Sequence, residues 1–302
     1  MKIIDAHAHI AQYVAGFTSR GELRAVGGGQ AQYSTGEIFQ MFPPYMGDIG
    51  VSPEALLRVM DEHGVEKAVL LQSNWLGFHN EYTYAAVKKY PVRFVGAATY
   101  DPFCVKADEI RKHLFADLGF KIVKFELSTG SGLMANRPPV DIDGEVMNAC
   151  YAHAQEKGLT VVLDIGRPSE PSWQVDAVAA VAEKYPKLTF VLCHLLAPQR
   201  GDAELLQAAL KKLKKPNIYF DISSLPSNQK PETYPYKSAV EHLKIAKATV
   251  GADKIMFGSD MPSTLARDSY SHLVNYIVNG GVFIDSEMQD IFYNTAQKIY
   301  FK

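Results

Sequence analysis

Cysteine is scarce in this 302-residue chain, with Cys104, Cys150 and Cys193 its only three. Three scattered thiols make no disulfide framework, and their spacing fits no zinc ribbon. No apolar run is long enough to cross a bilayer. The basic-then-apolar start breaks at Asp5, so no signal peptide is read and a cytoplasmic location is expected. Long basic tracts are missing as well, which removes the electrostatic footprint of a nucleic-acid or membrane binder. The densest run, Lys211-Lys212-Leu213-Lys214-Lys215, falls at the end of an expected helix, where cations suit the negative end of the dipole. There is no glycine-rich phosphate loop after an early strand, because Gly27-Gly28-Gly29 has no strand directly before it. What remains is an ordinary globular composition, 47% hydrophobic and 21% charged with a net charge of -2, enough for a sizeable core.

The most informative stretch is the first ten residues, MKIIDAHAHI. Period-two alternation in a strand points His7 and His9 to one side and Ala6 and Ala8 to the other. Neighbouring imidazoles at a strand end form half a site for a divalent first-row metal.

Seven further β-branched runs follow, each trailed by a helix-like segment: 67–72, 94–100, 121–127, 160–166, 189–195, 218–223 and 254–260, after the first at 2–9. One such helix opens at Ser52, placed to cap, with Pro53 in the first turn. Gly64 and Gly158 stand where helices end. Eight strand–helix units in alternation predict a parallel sheet closed into a (β/α)8 barrel, a single domain spanning 1–302. The segment from Ile10 to Val51 is too long for an ordinary connection. Rich in Gly, Tyr and Phe and containing Phe42-Pro43-Pro44-Tyr45, it is expected to be an ordered lid loop over the mouth.

Chemistry in such a barrel sits at the carboxyl ends of the strands. Those ends offer His7 and His9, then Lys124 and Glu126 on strand four, Asp164 on strand five, His194 on strand six, Asp221 on strand seven and Asp260 on strand eight. Lys124 and Glu126 share one face, and His194 falls opposite Cys193. A concentration of ionisable groups at one end of a barrel needs a partner, and a divalent cation is the simplest.

With D-A-H-A-H at the start, F-V-L-C-H-L ending strand six, M-F-G-S-D-M-P around Asp260 and the late Y-N-T-A-Q-K-I-Y, the chain resembles the amidohydrolase superfamily over its whole length. Its nearest likeness is to the amidohydrolase-2 branch of metal-dependent hydrolases, decarboxylases and lactonases. The resemblance implies that His7 and His9 bind metal, that Asp260 binds metal or takes a proton from the attacking water, and that His194 orients substrate or water. Many members add a third metal histidine at the end of strand five. This chain departs there, offering Asp164 in TVVLDIG, with Glu126 as a second carboxylate candidate.

The reading that follows is hydrolysis at one divalent ion, Zn²⁺ first and Mn²⁺ second, held by His7, His9, Asp260 and Asp164 or Glu126. Asp260 carries the proton and His194 donates to the oxyanion. The substrate is a small organic acid, a carboxylate-bearing lactone or amide. Arg167 is placed to fork onto its carboxylate or else to pair with Glu170, while Trp75 and His79 either line the pocket or pack and start a helix. Lys124 pairs with Glu126 or, less in keeping with a single ion, forms a carbamylated bridge. Asp221 supports a neighbouring ligand or touches substrate. His63, His113, His153, His242 and His272 lie in helices and are read as structural. Non-oxidative decarboxylation of an aromatic or unsaturated acid and metal-independent lactone hydrolysis are the alternatives, and homo-oligomerisation is left open.

Overall fold

The computed structural model describes residues 1–301. Strand β1 (Ile3–Ala8) is followed by four short strands, β2 (Ala15–Thr18), β3 (Gly21–Gly27), β4 (Gln30–Tyr33) and β5 (Ile38–Gln40). The remaining strands are β6 (Val65–Leu70), β7 (Phe94–Ala98), β8 (Ile122–Glu126), β9 (Thr160–Asp164), β10 (Thr189–Leu192), β11 (Ile218–Asp221) and β12 (Ile255–Met256). β1 and β6 to β12 pair in parallel in the order β1-β6-β7-β8-β9-β10-β11-β12. Backbone bonds close the ring: Ala6 N–H donates to Phe257 O and His9 N–H to Met261 O, both at 2.9 Å, and Asp260 N–H donates to His7 O at 2.8 Å. The fold is the expected (β/α)8 barrel.

Helix α1 (Pro53–Glu62) follows the capping logic of its sequence. The Ser52 hydroxyl accepts the Ala55 N–H at 3.1 Å, Pro53 occupies the first turn, and Gly64 turns the chain away with φ of 66°. Helix α2 (Asn80–Lys89) packs onto β7 where Gly96 makes room. Helices α3 (Ala107–Lys112), α4 (Glu145–Glu156), α5 (Val175–Lys184), α6 (Ala203–Lys212), α7 (Lys237–Val250) and α8 (Tyr270–Val278) complete the outer ring, and α9 (Asp285–Gln289) and α10 (Thr295–Tyr300) follow. No helix among the described residues is long and apolar enough to cross a membrane.

The barrel interior has its own apolar cluster. Ile4, Val69, Ala97, Ile122, Val162, Val191, Tyr219 and Met256 pack together, and Ala296, Ile299 and Tyr300 of α10 join them from below. The larger cluster fills the space between strands and outer helices.

Three sequence expectations change. The 10–51 segment is not a loop: β2 to β5 form a four-stranded antiparallel sheet. Its strands are so short and glycine-rich that they read as irregular chain. Gly27, Gly28 and Gly29, with φ of 98°, 60° and 73°, are its hairpin turn, so a strand does precede them, though an antiparallel one. The sheet is bonded to the loops after β6 and β8, with Ala15 N–H to Leu76 O, Phe17 N–H to Asn74 O and Ser19 N–H to Gly130 O, each at 3.0 Å. That seats it at the barrel mouth. Strands β10 and β12 end earlier than the β-branched runs suggested, at Leu192 and Met256. Beyond them the backbone turns left-handed, with φ of 58° at His194 and 59° at Asp260. Residues other than glycine sit there at a cost of about 1–3 kcal/mol, and such conformations gather at functional sites.

Candidate active site

The residues of the mouth are aimed by local breaks in the strands. Between Asp5 and Ala8 the register of β1 against β6 slips by one residue, a bulge. Ile4 and Ala6 therefore pack inside the barrel below, while His7 and His9 face inward above. Asp5 stays outside the ring and ties its ends together, accepting N–H groups from His7 at 3.2 Å and Ser259 at 2.9 Å and the Tyr270 hydroxyl at 3.0 Å. Burial pushes its carboxyl up to about 6, with these donors pulling the other way. Gly258 lets the chain after β12 approach, since a Cβ there would lie 2.7 Å from the His7 Cβ. Strict alternation would have put Cys193 and His194 on opposite faces. Instead Cys193 joins the interior cluster and the left-handed turn brings His194 back to the mouth.

The ring partners fix both histidine tautomers. His9 Nδ1 faces the Leu71 carbonyl at 2.9 Å, and His7 Nδ1 faces the Asp221 carboxylate at 3.1 Å. A carbonyl and a carboxylate only accept, so both Nδ1 atoms carry a proton, and the Nε2 atoms are the ones turned toward each other and toward Asp260. Those two Nε2 atoms are 3.1 Å apart, and Asp260 Oδ1 lies 2.9 Å from that of His9 and 3.6 Å from that of His7. Three atoms able to ligate one metal ion thus converge on one point. His7 is fully buried, and burial lowers its pKa to about 4 despite Asp221 and Asp260, keeping the imidazole neutral. Asp260 is held below the usual carboxylate range by His9, His7 and His194 in spite of its burial.

A second ring of groups supports the first. Asp221 accepts the backbone N–H of His194 and of Ser223 at 3.1 Å each and the Ser223 hydroxyl, which leaves it committed to holding His7. His194 meets acceptors at both nitrogens: the Ser223 carbonyl at 3.1 Å from Nδ1 and Asp164 Oδ2 at 3.4 Å from Nε2. Burial works against its charge, but Asp164, Asp260 and Asp221 outweigh it and raise the pKa to about 10. Asp164 in turn is kept near about 2 against burial, chiefly by His194, then Lys124. Glu126 moves the other way, up to about 7, because burial and Asp164 oppose its charge more than Lys124 favours it. Lys124 is 1% exposed, with Nζ 3.5 Å from His7 Nε2.

These side chains border a cavity of about 120 Å³ lined by His7, His9, Lys124, Glu126, Asp164, His194 and Asp260 together with Trp75, Leu76, Ser73, Ser131 and Ser263. Of the expected metal ligands, His7, His9 and Asp260 come together with donor atoms within 4.8 Å of one another. Asp164 and Glu126 face the same cavity but belong to neither metal-competent group, being engaged by His194 and by Asn74 N–H and Ser131. His7, His194 and Asp221 form the other group. Arg167 does not reach the cavity: its side chain is 54% exposed and pairs with Glu170 at 2.7 Å, an i,i+3 neighbour that captures it locally. His79 does not line the cavity either. It is buried at the start of α2, its Nε2 3.2 Å from the Leu76 carbonyl. Sequence reasoning passed over Ser223 and Ser224, the latter donating to Asp260 Oδ2. Their one signal was their position two and three residues after the β11 aspartate.

A barrel of this topology, with paired strand-one histidines meeting a strand-eight aspartate, matches the family described as Amidohydrolase over residues 4–302. The chain belongs to the amidohydrolase family. It is an enzyme of that family, whose structural neighbours include hydrolases and decarboxylases. Among curated proteins no sequence matches this amidohydrolase. Among solved structures it is similar to a probable 2-pyrone-4,6-dicarboxylic acid hydrolase from Acinetobacter baumannii with citric acid bound, at 18% identity, 100% of both chains and a TM-score of 0.73. It is also similar to an amidohydrolase from Burkholderia multivorans with bound zinc, at 17% identity, 99% of both chains and a TM-score of 0.74. A 5-carboxyvanillate decarboxylase from Sphingomonas paucimobilis shares 14% identity over 81% of both chains, with a TM-score of 0.57. At such identities these likenesses describe the fold of this amidohydrolase and not its substrate.

Proposed function

We propose that this enzyme hydrolyses a small, carboxylate-bearing lactone or amide-type substrate with one divalent cation held by His7, His9 and Asp260. The carrying observation is the convergence of two imidazole Nε2 atoms and a carboxylate oxygen within 2.9–3.6 Å, a set of ligand atoms that a divalent cation would satisfy together. Zn²⁺ suits two nitrogens and one oxygen best, with Mn²⁺ second, and the zinc in the Burkholderia multivorans relative supports that order. Such an ion supplies Lewis acidity toward a carbonyl and makes water more acidic.

The chain's own groups do the rest. Asp260 is ionised and accepts the proton of the attacking water, then returns it to the leaving group. His194, with acceptors at both nitrogens, is an imidazolium; Nδ1–H is given to Ser223, and Nε2–H, held only loosely at 3.4 Å from Asp164, is shared with the developing oxyanion. Asp164 and Ser223 keep its ring in place. Lys124 replaces Arg167 as the fixed cation for a substrate carboxylate, because it is the one that borders the cavity. The 120 Å³ volume suits a small substrate.

The test is product analysis in ¹⁸O-labelled water with a panel of small lactones, amides and aromatic acids. Label entering the product carboxyl supports hydrolysis. Carbon dioxide release without label would replace it with decarboxylation.

A further inference from the structure

Trp75 belongs to the connection between β6 and α2, and the antiparallel sheet grips that connection twice. A Cβ at Gly16 would lie 1.9 Å from the Trp75 carbonyl oxygen, so β2 runs against this loop only because position 16 has no side chain. Phe17 N–H donates to Asn74 O at 3.0 Å, and the Asn74 side-chain amide returns a bond to Phe17 O at 2.8 Å. The second grip is on the side chain. The Phe39 ring of β5 lies 18° from parallel to the Trp75 indole, with centroids 6.0 Å apart. Tyr33 of β4 stacks on Phe39 at 5.0 Å and 18°, and the Arg20 guanidinium caps Tyr33 at 4.9 Å. One continuous stack of planar groups thus runs from the surface to the indole of Trp75, a residue that borders the central cavity. An indole on a loop has two free torsions, and a ring held against it removes that freedom before a ligand arrives.

We propose that the antiparallel sheet is the backing of the substrate wall: Phe39 is a positioning residue that acts through Trp75 and sets the affinity for a small cyclic substrate, without touching the chemistry at His7, His9 and Asp260. This rests on the hydrolase reading for the identity of the cavity. The ring of the substrate meets the indole, and an oxygen of it meets the Ser73 hydroxyl, which accepts Leu76 N–H at 3.1 Å and borders the same space.

Phe39→Leu keeps an apolar side chain and removes the stack, and Phe39→Tyr restores it. Trp173→Phe leaves Trp75 as the sole indole, since the chain has two tryptophans. Where that background does not fold, the emission difference between the parent and Trp75→Phe reports the same group. 5-Oxotetrahydrofuran-2-carboxylate, a small lactone that carries the carboxylate Lys124 would hold, is titrated against metal-loaded enzyme, with Trp75 emission reading binding and acid release reading turnover. Phe39→Leu is expected to move the emission to longer wavelength and increase acrylamide quenching. It should raise Kd and KM about three- to tenfold, the range of an aromatic pair, while kcat stays within about twofold and metal content is unchanged. Phe39→Tyr returns every reading toward the parent. Unchanged quenching and Kd in Phe39→Leu overturn the proposal, as does a fall in kcat at constant KM. A parent Trp75 that does not respond to the lactone overturns the wall itself. Lactone that binds with Phe39-dependent affinity but releases no acid removes the hydrolase reading and leaves the wall standing.

Discussion

The lower and upper halves of the barrel interior are built by the same strands and have opposite chemistry. On β8 the inward face passes from Ile122 to Lys124, on β9 from Val162 to Asp164 and on β11 from Tyr219 to Asp221, each within two residues. Below, a dry layer closed by Ile299 and Tyr300 of α10 supplies hydrophobic stabilisation, about 1.5–3 kcal/mol for each large side chain fully buried. Above, the same exclusion of water leaves ionisable groups to solvate one another, and their pKa values are driven apart, down to about 2 at Asp164 and up to about 10 at His194. The lower layer holds the strands in register, and the upper one uses that rigidity to keep mutually repelling groups close. One half is replaceable by volume, the other by neither volume nor charge alone.

The sharpest way to break this division is Asp260→Asn. It preserves shape at the mouth and removes the negative charge, so kcat/KM should fall about 10²- to 10⁴-fold in steady-state assays while the circular dichroism spectrum is retained. Loss of folding instead would make the upper half a stability element. Ile122→Ala probes the other side: chemical denaturation should show a loss of about 2–5 kcal/mol, with activity per folded molecule unchanged.

Two outer-surface controls give smaller effects. Glu54 accepts Lys89 at 2.8 Å and Tyr90 at 2.7 Å, and these donors, Lys89 first, lower its pKa from 4.5 to about 2. A depressed carboxylate contributes stability above its unfolded pKa and loses it as pH falls. Denaturation midpoints of wild type and Glu54→Gln should therefore differ by under about 1 kcal/mol at neutral pH and converge between about 4.5 and 2, with solvent screening holding the difference low. Arg167→Ala should change KM by less than about twofold, because its partner is Glu170 on the surface. A large rise in KM would return Arg167 to the substrate.

The barrel was legible because its strands are short β-branched runs whose alternation survives burial, and the histidine pair was legible because spacing of two within a strand is a local property. Legibility ends where the backbone leaves a regular period. Nothing in C-H-L-L announces the left-handed turn that aims His194, and no spacing rule reports that Asp221, 214 residues away, orients His7. Of the two readings the sequence left open for Arg167, the structure holds the pair with Glu170, an acidic residue three positions on. The 10–51 sheet was read as a loop because strands of three to seven residues between glycine turns carry little periodic signal.

The most direct measurement is metal content and its dependence on the three converging side chains. Elemental analysis of purified wild type, His9→Ala and Asp260→Asn, each with activity before and after chelation, should give about one divalent ion per chain in the wild type. The variants should be depleted, and chelation should abolish a turnover that Zn²⁺ restores. A wild-type protein that stays fully active with no bound ion would contradict the account.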